Sequence, residues 1–163
     1  MFIYLIYIFN IILIAFPLAI FEICIESSGG WGSSWPKHKW YAKPFLPNNK
    51  LVKFLVKIAN VQSPLNYHLF VFGIIIPIIF LIEYVFITHN IFLLTSCFIA
   101  VLVFEDFLWF LLNWRFDALK QLFKGPNGII WWHKGWVRIS KTHYLPSSYF
   151  MMIPISLILL ILS

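Results

Sequence analysis

The chain has 163 residues, of which 61% are hydrophobic and only 11% charged, and its mean hydropathy is +0.87. A soluble domain carries about 25% charged residues, so these values exclude an ordinary soluble fold and leave one all-α, integral membrane domain over residues 1–163. The net charge of +6 rests on 12 Lys and Arg confined to residues 37–57 and 115–141, interleaved with Trp and Phe. That pattern points to a bilayer with anionic headgroups as the partner, and not to nucleic acid.

The first apolar run, residues 2–24, has no basic residue before it and is too long for the apolar core of a signal peptide. It reads as a retained span starting outside, with Pro17 as a kink. The basic loop 25–66 follows. Its opening, Ser27 to Ser34, is small and polar and lacks the Lys-Ser/Thr ending of a phosphate loop, so it reads as flexible linker without a nucleophile motif. Within the loop, Lys50, Lys53 and Lys57 fall on one face among Leu51, Phe54, Leu55 and Ile58, the pattern of a helix lying in the membrane interface.

Residues 67–88 form the second span, kinked near Pro77, and His89-Asn90 joins it tightly to a third span at 91–114. The second basic loop, 115–146, opens on another amphipathic segment with Phe116, Leu119, Leu122 and Phe123 opposite Lys120 and Lys124. It turns at Pro126-Asn127-Gly128 and returns to the interface through Trp131-Trp132-His133. A fourth span, 147–162, is only just long enough for a hydrocarbon core of about 30 Å. Four spans place both basic loops on one side, which the positive-inside bias makes the cytoplasm, and all eight Trp gather towards that side. The expected architecture is a four-helix bundle with both termini outside and interfacial helices in the two loops. Cys24 and Cys97 lie roughly 25 Å apart in depth by helical rise, so both are expected as free thiols.

Five of the six acidic residues lie within or beside spans: Glu22, Glu26, Glu83, Glu105 and Asp106. A charged side chain at the centre of a span costs roughly 2.5–3.5 kcal/mol even on the lenient insertion scale. The adjacent pair Glu105-Asp106 therefore needs a proton, a cation or a partner. Arg115 is too far along the same helix to serve. Asp106, Trp109, Phe110 and Asn113 share a helix face, while Glu105 is turned about 100° towards a different neighbour.

The topology brings Glu22, Glu26, Glu105 and Asp106 to one depth with His68 and the loop histidines His38, His133 and His143. Boundary position makes Glu26 read as a helix end capping or exiting into water, His38 and His143 as solvated or facing headgroups, and Glu83 as a partner of His89 or a protonated acid. The remainder point to carboxylate and imidazole acid–base chemistry on a lipid or isoprenoid at the inner leaflet. Glu105 and Asp106 are its core, supported by Glu22, His68 and His133. Trp109, Asn113, Arg115 and Arg138 are the candidates for substrate contact, the two arginines suiting a phosphate although they serve equally as ordinary inner-face anchors. Carboxylates with imidazoles also suit a metal, but no familiar ligand spacing occurs, so neither metal nor cofactor is specified. The competing reading is a non-catalytic subunit whose acids pair with other membrane subunits. If the two basic loops share a compartment, cysteines introduced at Lys53 and Lys134 react with an impermeant thiol reagent from the same side in sealed vesicles. Labelling from opposite sides overturns the topology.

Overall fold

Three stretches of the chain form helices long and apolar enough to cross a bilayer, α1 (Tyr4–Glu26), α3 (Asn66–Thr88) and α4 (Ile91–Leu112). The computed structural model describes residues 2–26 and 29–163 and adds α2 (Lys50–Ala59), α5 (Ala118–Lys124) and α6 (Ser147–Ile161). A two-stranded antiparallel ribbon of β1 (Trp136–Arg138) and β2 (Tyr144–Pro146) precedes α6. Ser27 and Ser28, weighed above as hydroxyl candidates, lie outside the described residues. The last helix is apolar but only 15 residues long, shorter than the roughly 20 residues a full crossing asks of an untilted helix.

Two of the three prolines inside helices leave the same mark. In α1 the turn Ile11–Ala15 widens to π-helical geometry around Leu13, four residues before Pro17. In α3 the turn Val71–Ile75 does so around Gly73, four residues before Pro77. Proline lacks the N–H that would bond that carbonyl, and its ring crowds it; a locally wider turn relieves both. Pro154 in α6 stays within regular helix.

Helix α4 is the central element and touches α1, α3 and α6. Its start is set by Asn90, whose side-chain oxygen accepts from Leu93 N–H at 3.0 Å; the preceding His89 ends α3 in the left-handed conformation. Small residues let α1 approach closely: Ala15 and Ala19 are fully buried, Ala15 in a cluster with Leu94, Cys97 and Val101 of α4. Between α4 and α6, Ser96 Oγ donates to the Ser156 carbonyl at 2.6 Å and Ser156 Oγ to the Ser96 carbonyl at 3.0 Å. Tyr7 of α1 closes the group, its hydroxyl 2.8 Å from Ser156 Oγ. Glu83 takes a bond from Asn10 Nδ2 at 2.9 Å, so its partner is α1 and not the His89 expected from sequence. Cys24 and Cys97 are free thiols.

The basic loops form the local helices their periodicity implies. Asn49 caps α2, accepting from Leu51 and Val52 N–H, and Asn60 terminates it in the left-handed region. Lys50, Lys53 and Lys57 are exposed, and so are Leu51, Phe54, Leu55 and Ile58. In α5, Ala118 and Leu122 are buried while Lys120 and Lys124 face out.

The loops also meet. Lys134 N–H bonds the Asn60 carbonyl at 2.6 Å, and Gln62 N–H bonds the Trp132 carbonyl at 2.7 Å, an antiparallel bridge pairing Val61 with His133. Beneath it a second core of Ile23, Trp109, Phe110, Leu122 and Trp132 joins the ends of α1 and α4 to the second loop. Replacing Ser156 with Ala removes one of the reciprocal α4–α6 bonds and the contact to Tyr7. The expected cost is about 1 kcal/mol, read as a lower midpoint in thermal unfolding of detergent-solubilised protein with helix content unchanged.

Candidate functional site

The buried face of α1 runs through Ala15, Ala19, Glu22, Ile23 and Glu26 at helical spacing. The stripe that packs against α4 therefore ends in two carboxyls. On α4, Glu105 and Asp106 diverge as adjacent helical residues must. Glu105, 4% exposed, turns to Glu22 of α1, within reach of a shared proton, and Asp106 turns to the second loop and α6. Each member of the Glu22–Glu105 pair leaves its Oε1 without a hydrogen-bond donor. Two carboxyls in contact inside an apolar wall need a proton or a cation between them.

Asp106 Oδ2 is the meeting point of the other group. His133 Nε2 lies 3.1 Å from it, and the Tyr149 hydroxyl donates to the same oxygen. His133 is almost completely buried, whereas the Asp106 side chain keeps 25% of its surface. The imidazole is held there by its own backbone, the strand-like bridge to Val61, and by the rings of Phe110, Trp136 and Tyr149 around it. Its Nδ1 is buried and has no partner. An Asp on one ring nitrogen fixes which of the two carries the proton.

All of these groups border one cavity of about 540 Å³. Apart from Ser148, its remaining wall is mostly apolar, with Val52, Leu55 and Val56 of α2, Leu69 and Phe72 of α3, and Met152 of α6. His68 closes one side. Its Nδ1 accepts from Leu65 N–H at 3.1 Å, so its proton sits on Nε2, and its ring stacks on Trp31 with centroids 4.2 Å apart.

The structure thus brings Glu22, Glu105, Asp106, His68, His133 and Trp109 to one cavity. The other candidates stand elsewhere. Asn113 lines a separate depression with Trp114 and Phe116, and Arg115 has its guanidinium 6.0 Å from the Trp114 ring. Arg138 braces the turn of the β-ribbon by donating to the carbonyls of Ser140 and Lys141. His143 is exposed and bonded to Ser140 and Thr142, and His38 is exposed, so the histidines that converge are His68 and His133.

Sequence reasoning passed over two members. Glu26 does not exit into water; it is 3% exposed and accepts from Trp31 and Gly32 N–H, both at 2.9 Å, so it folds the following segment over the cavity. Residues 29–32 are consequently packed, where the sequence reads as flexible linker. Gly30 adopts φ +57°, and a Cβ there would strike the Trp132 indole. Tyr149, the other, opens α6 at the depth where His68 opens α3, and the depth argument that recruited His68 would have found it.

Among the described residues no group of three or more His, Cys, Asp or Glu side chains is placed to hold a metal ion. Neither a family model nor a curated protein nor a solved structure matches the chain. Glu26→Ala removes two hydrogen bonds from the Trp31 and Gly32 backbone N–H groups and is expected to cost about 2 kcal/mol. Hydrogen exchange of residues 29–35 should quicken before the rest of the protein responds; unchanged protection there would show that Glu26 does not hold the segment.

Proposed function

We propose that the protein is a membrane enzyme modifying a lipid or isoprenoid by carboxylate and imidazole acid–base chemistry at the cytoplasmic leaflet. In this reading the three long helices and α6 form a four-helix bundle with both termini outside, and the paired basic loops lie on anionic headgroups. The observation that carries it is the Asp106–His133 pair, with Tyr149 on the same carboxylate oxygen, opening into a mostly apolar cavity.

Asp106 is the group that reaches the substrate, since it alone of the three retains substantial surface; His133 and Tyr149 fix its orientation. A proton leaving a substrate hydroxyl or amine passes to the Asp106–His133 pair. The proton shared by Glu22 and Glu105 supplies the complementary acid. This division, one acid carrying a proton and another group receiving one, is what acid–base turnover requires. The apolar wall holds the tail and excludes water from the transfer.

Purified protein incubated with a total membrane lipid extract should convert one lipid species, detected as a mass shift by liquid chromatography and mass spectrometry. Asp106→Asn and His133→Gln should each reduce the rate by about 10²–10⁴-fold while helix content and thermal midpoint remain. Product formation undiminished in both variants would overturn the assignment. Variants that accumulate normally but lose co-purifying membrane proteins would move the protein to the non-catalytic subunit reading.

A further inference from the structure

The cavity is sharply asymmetric in charge. Its described lining holds four carboxyl groups, Glu22, Glu26, Glu105 and Asp106, and no Lys or Arg. The 12 basic residues of the chain all lie elsewhere, including both arginines that would suit a phosphate. Glu26 is occupied by backbone N–H groups, but Glu22 and Glu105, 6% and 4% exposed, each keep a carboxyl oxygen with no completed hydrogen bond, although the Tyr67 hydroxyl, itself unpartnered, lies beside Glu22. Buried acceptors of this kind are costly unless a donor arrives. Trp31, Trp109 and Trp132 line the same space, and indole faces attract cations.

We propose that the occupant of this cavity is an amphiphile with a primary ammonium head and an apolar tail, the head lying against Glu22 and Glu105. A primary ammonium offers three N–H donors and a positive charge, which answers the orphaned oxygens and the one negative charge that a shared proton leaves on the Glu22–Glu105 pair together. A phosphate head meets four acids and no basic side chain. A neutral head meets the donors' absence but not the charge. The tail is required because, apart from His68, His133 and Ser148, the rest of the lining is aliphatic and aromatic, and because α2, which forms one wall with Val52, Leu55 and Val56, bears further apolar side chains on its open surface. An amine reaching the site from the lipid phase passes along that helix. The inference rests on reading the cavity as a lipid site and narrows that reading to aminolipids.

The test is a binding titration in nanodiscs of zwitterionic lipid, followed by tryptophan emission, with dodecylammonium, dodecyltrimethylammonium, dodecyl phosphate, dodecyl maltoside and ethylammonium as probes. Dodecylammonium should saturate and bind at least about tenfold tighter than the phosphate or maltoside. Trimethylation, which removes the N–H donors, should weaken it, and ethylammonium, which lacks the tail, should fail. Glu22→Gln and Glu105→Gln should each weaken dodecylammonium by about thirty-fold or more, as loss of one partner from a buried charge pair does. Equal binding of phosphate and ammonium probes overturns the proposal, as does wild-type affinity in both Gln variants. Should either variant misfold, the head-group comparison on the wild-type protein decides alone. Binding is read without turnover, so a failure of the acid–base chemistry and a failure of the ammonium preference appear in different measurements.

Discussion

The backbone bridge between residues 60–62 and 132–134 is the constraint from which the site follows. It joins the two basic loops, whose many like charges would otherwise drive them apart, and it does so through main-chain groups that charge cannot disturb. Because His133 sits in the bridge, its ring direction is set by the pairing and not by a flexible loop. The pairing turns the imidazole back under the loops towards Asp106, with Trp132 packed parallel to Phe110 on the adjoining side. A loop residue acquires the positional accuracy of a strand residue, which acid–base chemistry demands.

A second constraint comes from α4. It packs against each of the other apolar helices, and its acids inherit that centrality. Successive residues step by about 100°, so Glu105 and Asp106 necessarily address different partners. The result is two separate groups, carboxyl with carboxyl and carboxyl with imidazole and phenol, set about 100° apart around one helix and bordering one cavity. A single substitution at either acid therefore disturbs one group and leaves the other in place.

Much of this was legible in the sequence, and what was not has identifiable causes. The long helices follow from uninterrupted apolar runs, and their distortions from Pro17 and Pro77. The depth of the acids is fixed by counting residues along those runs, so Glu22, Glu105, Asp106 and His68 were found. Depth does not give azimuth, however. Asn113 lies one face-sharing step from Asp106 yet opens onto a different depression, because α4 ends at Leu112 and the backbone at Asn113 has already left the helix. Arg138 was placed by charge and not by topology; the β-ribbon carries it to a turn. Glu26 was misread because a helix-end acid ordinarily meets water, and only the return of the Trp31–Gly32 backbone over the helix end supplies donors instead. No residue-type pattern announces such a return.

The polar groups of the opposite half of the molecule show why the site stands out. Tyr7, Ser96 and Ser156 bond one another across three helices, and Asn10 bonds Glu83. These satisfied contacts hold the helices together and ask for nothing further. Near the loops the balance reverses. Glu22, Glu105, Trp109 and His133 all retain unpartnered polar atoms, and all border the same cavity. Inside an apolar wall such groups are a standing cost, tolerable where a ligand completes them. The contrast between a closed set of polar contacts and an open one, within one mostly helical chain, is the strongest physical argument that the loop-side cavity exists to be filled.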